Sequence, residues 1–299
     1  MSLVALAPAG EPYVATFSIA AVDRETGDVG VAVASKFLAV GSIVPWADPA
    51  VGAVATQALA NATYGRRGLA FMRDGLTAEE ALARLIADDP ERERRQVGLA
   101  KLDGSSASHT GTECHPWAGH RTGAGFACQG NILTGPDVVE AMAAVFLSAS
   151  GPLPHRLFAA LTAGDKAGGD SRGRQSAALH VERTKGGYQG LSDVLADLRV
   201  DDASDPVGEL GRLLELNDLY FGRSPESDKI DLRGPVMAEL ATLLARAGRP
   251  LPGKADIEDP ATRTAFEAFV GIENLEDRVD FGRLTIDSPA LEFLRRTLG

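Results

Sequence analysis

Two neighbouring segments near the start of the chain are built largely from small and β-branched residues. TFSIAAVD (16–23) and VGVAVAS (29–35) have the composition of β-strands, and the residues between them supply a turn with its glycine. In the second segment every other residue is valine, and the residues between the valines are glycine or alanine. Small residues along one face of a strand allow another layer to approach that face very closely. The sequence therefore predicts a β-hairpin inside tightly packed β-structure.

The segments that follow do not alternate strand with helix. VGAVATQA (51–58) has the character of a third strand, and Thr77 with Glu80 three residues later forms a capping box that predicts the start of a helix. Further predicted strands are 95–103, 105–110, 126–133, 175–181 and 194–201, and further predicted helices are 136–146 and 153–163. This order indicates an α+β protein, and two sheets each covered by helices satisfy it.

The pattern changes after about residue 205. Strand signals nearly vanish, and four amphipathic segments follow at 206–219, 235–247, 260–270 and 288–297. We therefore expect three parts: an extension over residues 1–15, an α+β domain over residues 16–204 and a small helical domain over residues 205–299.

The charge balance disfavours two classes of partner. The 299 residues include 30 basic and 41 acidic side chains, for a net charge of −11, so nucleic acid and anionic membranes would be approached against repulsion. No apolar run reaches the ~18 residues of a membrane span. Neither a GxGxxG motif after a strand nor a P-loop is present, so we expect no nucleotide cofactor. Residues 1–12 contain no lysine or arginine, unlike a signal peptide, and leave the compartment open between cytoplasm and periplasm or exterior.

A first candidate for catalysis is Thr16 with Lys36. Thr16 begins the first strand of the hairpin and Lys36 follows the second strand, so antiparallel pairing brings the two together. A threonine at a free N-terminus carries its own base, since an α-amine has a pKa near ~7.7–8. A nearby lysine would lower that pKa and stabilise negative charge. The alternative is a β-branched strand residue beside a surface charge.

Two loops offer further polar groups. GGDSRGRQS (168–176) holds Asp170, which can pair with Arg172 or Arg174 and orient a substrate carboxylate, unless the loop is simply solvated. In CQGNILTGP (128–136), Asn131 and the neighbouring backbone N–H groups precede a helix and can stabilise an oxyanion, unless the segment is an ordinary capped turn.

A metal site is not expected. His109, Cys114, His115 and His120 are possible metal ligands, but their spacing matches no common zinc pattern. His120 remains a candidate substrate-binding residue, together with Gln57, Arg172, Arg174 and Ser176.

Several blocks of the sequence resemble the bacterial family known as domain of unknown function 1028. The resemblance covers residues 16–202 and includes the hairpin region 16–58, RRQVGLAKLD (94–103), WAGHRTG (117–123), QGNILTG (129–135) and GGDSRGRQSAAL (168–179). Residues 206–299 resemble a C-terminal extension described as a peptidoglycan-binding domain. The resemblance implies a four-layer α-β-β-α sandwich of the N-terminal nucleophile hydrolase type. It implies a nucleophile at Thr16, oxyanion donors at Gly130 and Asn131, and an acidic loop residue at Asp170.

Together these observations favour a hydrolase of C–N bonds in a small or peptide-like substrate. Its catalytic residues would be Thr16, Lys36, Asn131 and Asp170. The alternative is a non-catalytic protein that binds peptidoglycan or another glycan on a retired hydrolase fold. We also expect a homodimer or higher homo-oligomer, associated through the helical layers.

Overall fold

The computed structural model describes residues 16–299, so the predicted extension over residues 1–15 lies outside the described residues. The protein is a mixed α+β structure. Its first ten strands are β1 Thr16–Asp23, β2 Asp28–Ser35, β3 Pro45–Asp48, β4 Gly52–Ala58, β5 Arg95–Lys101, β6 Ser106–Thr110, β7 Gly119–Gly123, β8 Phe126–Asn131, β9 Ser176–Glu182 and β10 Val194–Val200. The first five helices are α1 Thr63–Arg73, α2 Ala78–Ala87, α3 Asp137–Ser148, α4 Leu153–Lys166 and α5 Pro206–Phe221.

These strands form two antiparallel sheets. One sheet has six strands in the order β10-β9-β2-β1-β8-β7, and the other has four in the order β3-β4-β5-β6. The predicted hairpin is confirmed, since β1 pairs with β2 from Thr16↔Ser35 to Asp23↔Asp28. The predicted capping box is also confirmed: Thr77 and Glu80 exchange hydrogen bonds at the start of α2.

Most buried apolar side chains around these elements fall into three groups. One face of the six-stranded sheet packs on α3 and α4, as Ile19 and Leu179 do with Met142 and Leu157. The four-stranded sheet packs on α1 and α2. The third group, which includes Ala20, Val31, Val33, Ala53 and Ala55, lies between the two sheets.

Glycine allows a particularly close approach between the sheets. A Cβ atom on Gly98 of β5 would lie 2.0 Å from Gln129 Oε1 of β8. The Gln129 side chain therefore occupies the space that any other residue at position 98 would fill. This contact accounts for the small residues that the sequence places along these strands.

A buried ion pair holds the start of β5. The Asp89 carboxylate accepts hydrogen bonds from Arg95 Nε at 3.0 Å and from the Tyr64 hydroxyl at 2.8 Å. Burial alone would raise the pKa of Asp89, but hydrogen bonds from Asn61, the Glu91 backbone, Arg95 and Tyr64 outweigh it and hold that pKa well below its ordinary value. The pair fixes the backbone just before Gln96.

The chain divides into two compact units between Leu214 and Glu215, ten residues after the boundary expected at 204/205. The first half of α5 belongs to the first unit, since Val207, Leu210 and Leu214 join its core. The second unit contains β11 Lys229–Asp231, α6 Pro235–Arg246, α7 Pro260–Ile272, β12 Val279–Asp280, β13 Thr285–Asp287 and α8 Ser288–Leu298.

The second unit is not purely helical as the sequence predicted, because β11, β13 and β12 form a three-stranded sheet. Strands of two or three residues are too short to show alternation in sequence. None of the helices within residues 16–299 has the length and apolar character needed to cross a membrane.

We expect Gly98→Ala to lower the free energy of unfolding by about 1–3 kcal/mol, because the new methyl group must displace Gln129 and break its hydrogen bonds. Denaturant unfolding followed by circular dichroism measures the change. Gly135→Ala is the matched control, since a Cβ there meets no atom within 4 Å. Equal stability of the two variants would show that the sheets can separate at no cost.

We expect Asp89→Asn to lower the free energy of unfolding by about 1–3 kcal/mol at neutral pH, because the buried Arg95 then keeps only the half-exposed Glu91 as a counter-charge. The folded pKa of Asp89 lies below the unfolded value, so its stabilisation is present above that unfolded pKa and is lost as the pH falls. The difference between wild type and variant should therefore shrink below about pH 4. A difference that does not change with pH would contradict this assignment.

Candidate functional site

Thr16 lies at the first position of β1, between its two neighbouring strands. It pairs with Ser35 at the end of β2 and with Asn131 at the end of β8. All three side chains are buried. The Thr16 hydroxyl donates to Ser35 Oγ at 3.2 Å. The expected nucleophile thus sits where three strand ends meet.

Amide side chains from both sheets form hydrogen bonds with one another next to Thr16. Gln57 Nε2, from β4, donates to the Thr16 carbonyl oxygen at 3.2 Å and to Gln96 Oε1 at 2.8 Å. Asn131 Nδ2 donates to the same Gln96 oxygen at 3.0 Å. Gln96 Nε2 donates in turn to the Gly130 carbonyl oxygen at 2.8 Å. Thr16 is therefore held through its backbone by Gln57 of the opposite sheet, and Gln96 holds Gln57 in turn.

The same network continues deeper between the sheets. Ser18 Oγ donates to Gln57 Oε1 at 2.6 Å and accepts from Gln129 Nε2 at 2.6 Å. Ser18, Gln57, Gln96 and Gln129 are fully buried. We call Ser18, Gln57, Gln96, Gln129 and Asn131 the amide network. All its members are uncharged.

The backbone turns sharply immediately after two members of the network. Ala58 follows Gln57 with φ 68°, and Ile132 follows Asn131 with φ 51°. A left-handed conformation is unfavourable for any residue with a Cβ, and most of all for a β-branched one. Such strain persists only where surrounding contacts enforce it, and it is concentrated at functional sites.

Asp170, the acidic loop residue singled out from the sequence, is held close to the ends of β2 and β8. A β-bridge to Leu133 holds it, and its carboxylate accepts from the Lys36 backbone N–H at 2.8 Å. Arg172 Nη2 donates to the same carboxylate oxygen at 2.9 Å. The Asp170 side chain is only 1% exposed. Asp170 thereby ties the residue after β2 to the 168–176 loop.

Two other predicted cations face outward. The Lys36 side chain is exposed, and its Nζ donates to the Arg174 carbonyl oxygen at 3.2 Å. Arg174 makes two hydrogen bonds to Asp165, at 2.7 and 3.0 Å, and these raise the pKa of its guanidinium. Arg174 is half exposed, so it can also meet a ligand.

Ser176 and His120 occupy different surroundings. The Ser176 hydroxyl accepts from the Val40 backbone N–H and donates to the Phe37 carbonyl, so it fastens the loop after β2. His120 lies on β7, where its Nδ1 is 2.9 Å from Thr110 Oγ1. Partial burial and the nearby His109 lower the pKa of His120.

A pocket of about 350 Å³ lies next to Ser35. Phe17, Ala34 and Val207 give it an apolar wall. Ser35, Asp165, Lys166, Asp170 and Arg174 give it hydroxyl, carboxylate and cationic groups. Ser35 also accepts a hydrogen bond from Thr16, so it links the pocket lining to the expected nucleophile, whereas Phe17 and Ala34 belong to the face of the sheet that packs on α3 and α4.

Sequence reasoning missed Ser35, Gln96, Gln129 and Asp165. Of these four residues, Ser35 could have been predicted from the sequence, because the hairpin register places it opposite Thr16. Gln96 and Gln129 are polar residues within apolar strands, and this pattern does not reveal their partners.

The cysteines and histidines do not form a reactive or metal-binding cluster. Across residues 16–299 the structure brings together no group of three or more His, Cys, Asp or Glu side chains that could hold a metal ion. Cys114 and Cys128 are free and buried. Burial raises the pKa of Cys114 to about 11 and raises that of Cys128 as well, which disfavours their thiolates.

Comparison with known proteins relates the first unit to one family. The model of a family of unknown function, DUF1028, matches residues 16–210. The crystal structure of protein SPO2555 from Silicibacter pomeroyi, which is assigned to DUF1028, is 32% identical with a TM-score of 0.62. The match covers 68% of this chain and 89% of that chain. No curated protein matches the chain significantly. The chain belongs to the family of unknown function DUF1028.

Proposed function

We propose that this protein is an amidohydrolase of the N-terminal nucleophile type, with the four-layer α-β-β-α sandwich of that class. The observation that carries the proposal is the position of Thr16: it starts a central strand, its hydroxyl is 3.2 Å from Ser35 Oγ, and Gln57 holds its carbonyl. The apolar groups on both sides of the two sheets support the layer order.

Activation is hydrolysis of the peptide bond between Ala15 and Thr16. Water adds across this bond, which leaves a carboxylate on Ala15 and an amino group on Thr16. A free α-amine of pKa ~7.7–8 is a suitable general base near neutral pH. Thr16 then carries nucleophile and base on one residue.

The catalytic cycle needs no further group for proton transfer. The Thr16 amine takes the hydroxyl proton as Oγ attacks the substrate carbonyl carbon, and the C–N bond breaks as that proton passes to the leaving nitrogen. The resulting ester is then hydrolysed by water, which restores the hydroxyl and releases the acid. One N–H of Asn131 Nδ2 is held by Gln96, and the other stabilises the oxyanion.

The pocket beside Ser35 holds the substrate in this proposal. Arg174 and Lys166 provide positive charge for a substrate carboxylate, and Phe17 and Val207 provide apolar contact. Asp170 keeps Arg172 and the Lys36 backbone in place around this pocket. These groups favour a small or peptide-like amide that bears a carboxylate. Gln57 holds the Thr16 carbonyl, and Ser176 fastens the loop after β2. We retain His120, on β7, as a candidate for substrate contact.

The proposal is tested with a chain that begins at Thr16, made from a precursor in which a single removable methionine precedes Thr16. Release of primary amine from N-acyl amino acids and short peptides is followed by fluorescence. We expect turnover by this chain and a loss of roughly 10⁴-fold in Thr16→Ala, because the variant lacks the hydroxyl that attacks the substrate.

Thr122→Ala, on the exposed part of β7, is the matched control and should retain full turnover. A Thr16→Ala chain as active as wild type would end the proposal.

The second candidate function is a binding module in residues 215–299. These residues lie beyond the family match at 16–210 and have a hydrophobic core of their own, which includes Leu240, Phe266 and Leu291. The resemblance of residues 206–299 to an extension described as a peptidoglycan-binding domain is the reason to propose that this unit binds peptidoglycan, on a first unit that has lost its activity.

We expect the full chain to co-sediment with purified peptidoglycan sacculi if this second function is correct, and soluble muropeptides to release it. The Thr16→Ala chain should bind equally, since binding does not use the nucleophile. A full chain that remains in the supernatant would exclude the second function.

A further inference from the structure

The orientation of each amide in the amide network is fixed by groups that can only accept hydrogen bonds. The Gly130 carbonyl accepts from Gln96 at 2.8 Å, so the nitrogen of Gln96 faces it and the Gln96 oxygen faces the opposite way. The Thr16 carbonyl likewise fixes the nitrogen of Gln57. Both Gln57 and Asn131 then present nitrogen to the oxygen of Gln96, at 2.8 and 3.0 Å.

These hydrogen bonds determine which side-chain atom of Asn131 has no partner within the amide network. Because its nitrogen is committed to Gln96, its oxygen must face away from Gln96. Asn131 is fully buried, and among the described residues its Oδ1 has no hydrogen-bond partner. A buried carbonyl oxygen without a donor is unfavourable, so its position indicates a missing donor.

The strand register directs the nitrogen of Thr16 toward β8, the strand that carries Asn131. Val22 donates its backbone N–H to Gly125, which immediately precedes β8, at 2.9 Å. Alternate residues of a strand direct their N–H groups to the same neighbour, and the pairing with β8 is regular from Thr16↔Asn131 to Ala21↔Phe126. Thr16 is six residues before Val22, so its nitrogen also faces β8, at Asn131.

We propose that Asn131 Oδ1 is the acceptor for the α-amino group that Thr16 gains when the Ala15–Thr16 bond is hydrolysed. A peptide nitrogen has one N–H, whereas a terminal ammonium has three and needs further acceptors. Asn131 lies opposite Thr16 with its side chain on the same face of the sheet. This inference rests on the proposed function, and it makes Asn131 the residue that positions the base.

The assignment is tested by the pKa of the Thr16 amine in the chain that begins at Thr16, labelled with ¹⁵N-threonine and titrated by NMR. A hydrogen bond to the ammonium form raises an amine pKa, so Asn131→Leu should lower that pKa by about one unit. Asn131→Asp keeps the side-chain volume and adds negative charge, so it should raise the same pKa by about one unit.

Gln129→Met is the matched control. It removes a buried amide from the same strand two residues away, and it should change the pKa of the amine by no more than about 0.3 unit. Opposite shifts in the two Asn131 variants support the contact, since general unfolding would move both toward the value of a free amine. An amine pKa that is unchanged in both would overturn it.

The titration uses no substrate, so the two proposals fail separately. Shifts at the amine in a chain that hydrolyses no amide would contradict the proposed function and leave the Asn131 contact standing. Turnover by a chain whose amine does not respond to Asn131 would contradict the contact alone.

Discussion

The close approach of the two sheets is the constraint on which the rest of the site depends. Gln129 fits only because position 98, opposite it, has no side chain. Ser18 Oγ and Gln57 Oε1 then lie 2.6 Å apart across the gap. A wider gap would admit water and leave these side chains mobile, whereas the observed spacing lets each amide bond another amide. The glycine and alanine content of the strands is therefore part of the site, since it sets the distance at which polar groups from the two sheets can meet.

Buried polar groups of this kind favour a single arrangement. An unsatisfied amide in the interior is costly, so only one assignment of nitrogen and oxygen at each side chain satisfies the whole set. The carbonyls of Thr16 and Gly130 determine that assignment, and Gln57 and Gln96 transmit it to Asn131. Such a network holds the end of β1 more rigidly than apolar packing alone, since shifting Thr16 along the strand would break several hydrogen bonds together.

The sequence contained enough information for the framework and for part of the site. The hairpin, its register and the capping box of α2 follow from local patterns, because turn chemistry and alternation act over a few residues. Helix α1, which contains Gly65 and Gly68, was not predicted from the sequence. Gly65 is there because Trp46 packs against it, and glycine weakens the helical pattern. Strands β3 and β7 were missed because they are short and partly exposed. The partners of Gln96 and Gln129 depend on contacts between distant segments, which a single sequence does not reveal.

The distribution of charge around Thr16 has a consequence for the chemistry at that residue. The charged side chains Lys36, Asp170, Arg172 and Arg174 lie in loops beyond the strand ends, and the amide network between the sheets is neutral. Burial among neutral groups lowers the pKa of an amine, since it disfavours the ammonium form. A hydrogen bond to a single carbonyl oxygen raises the amine pKa, but by less than a carboxylate would raise it. A Thr16 amine held by one amide oxygen would therefore keep a pKa close to neutral, where a general base works best. A carboxylate in place of Asn131 would hold the amine protonated, and so the neutral amide is the side chain that both positions the base and leaves it able to accept a proton.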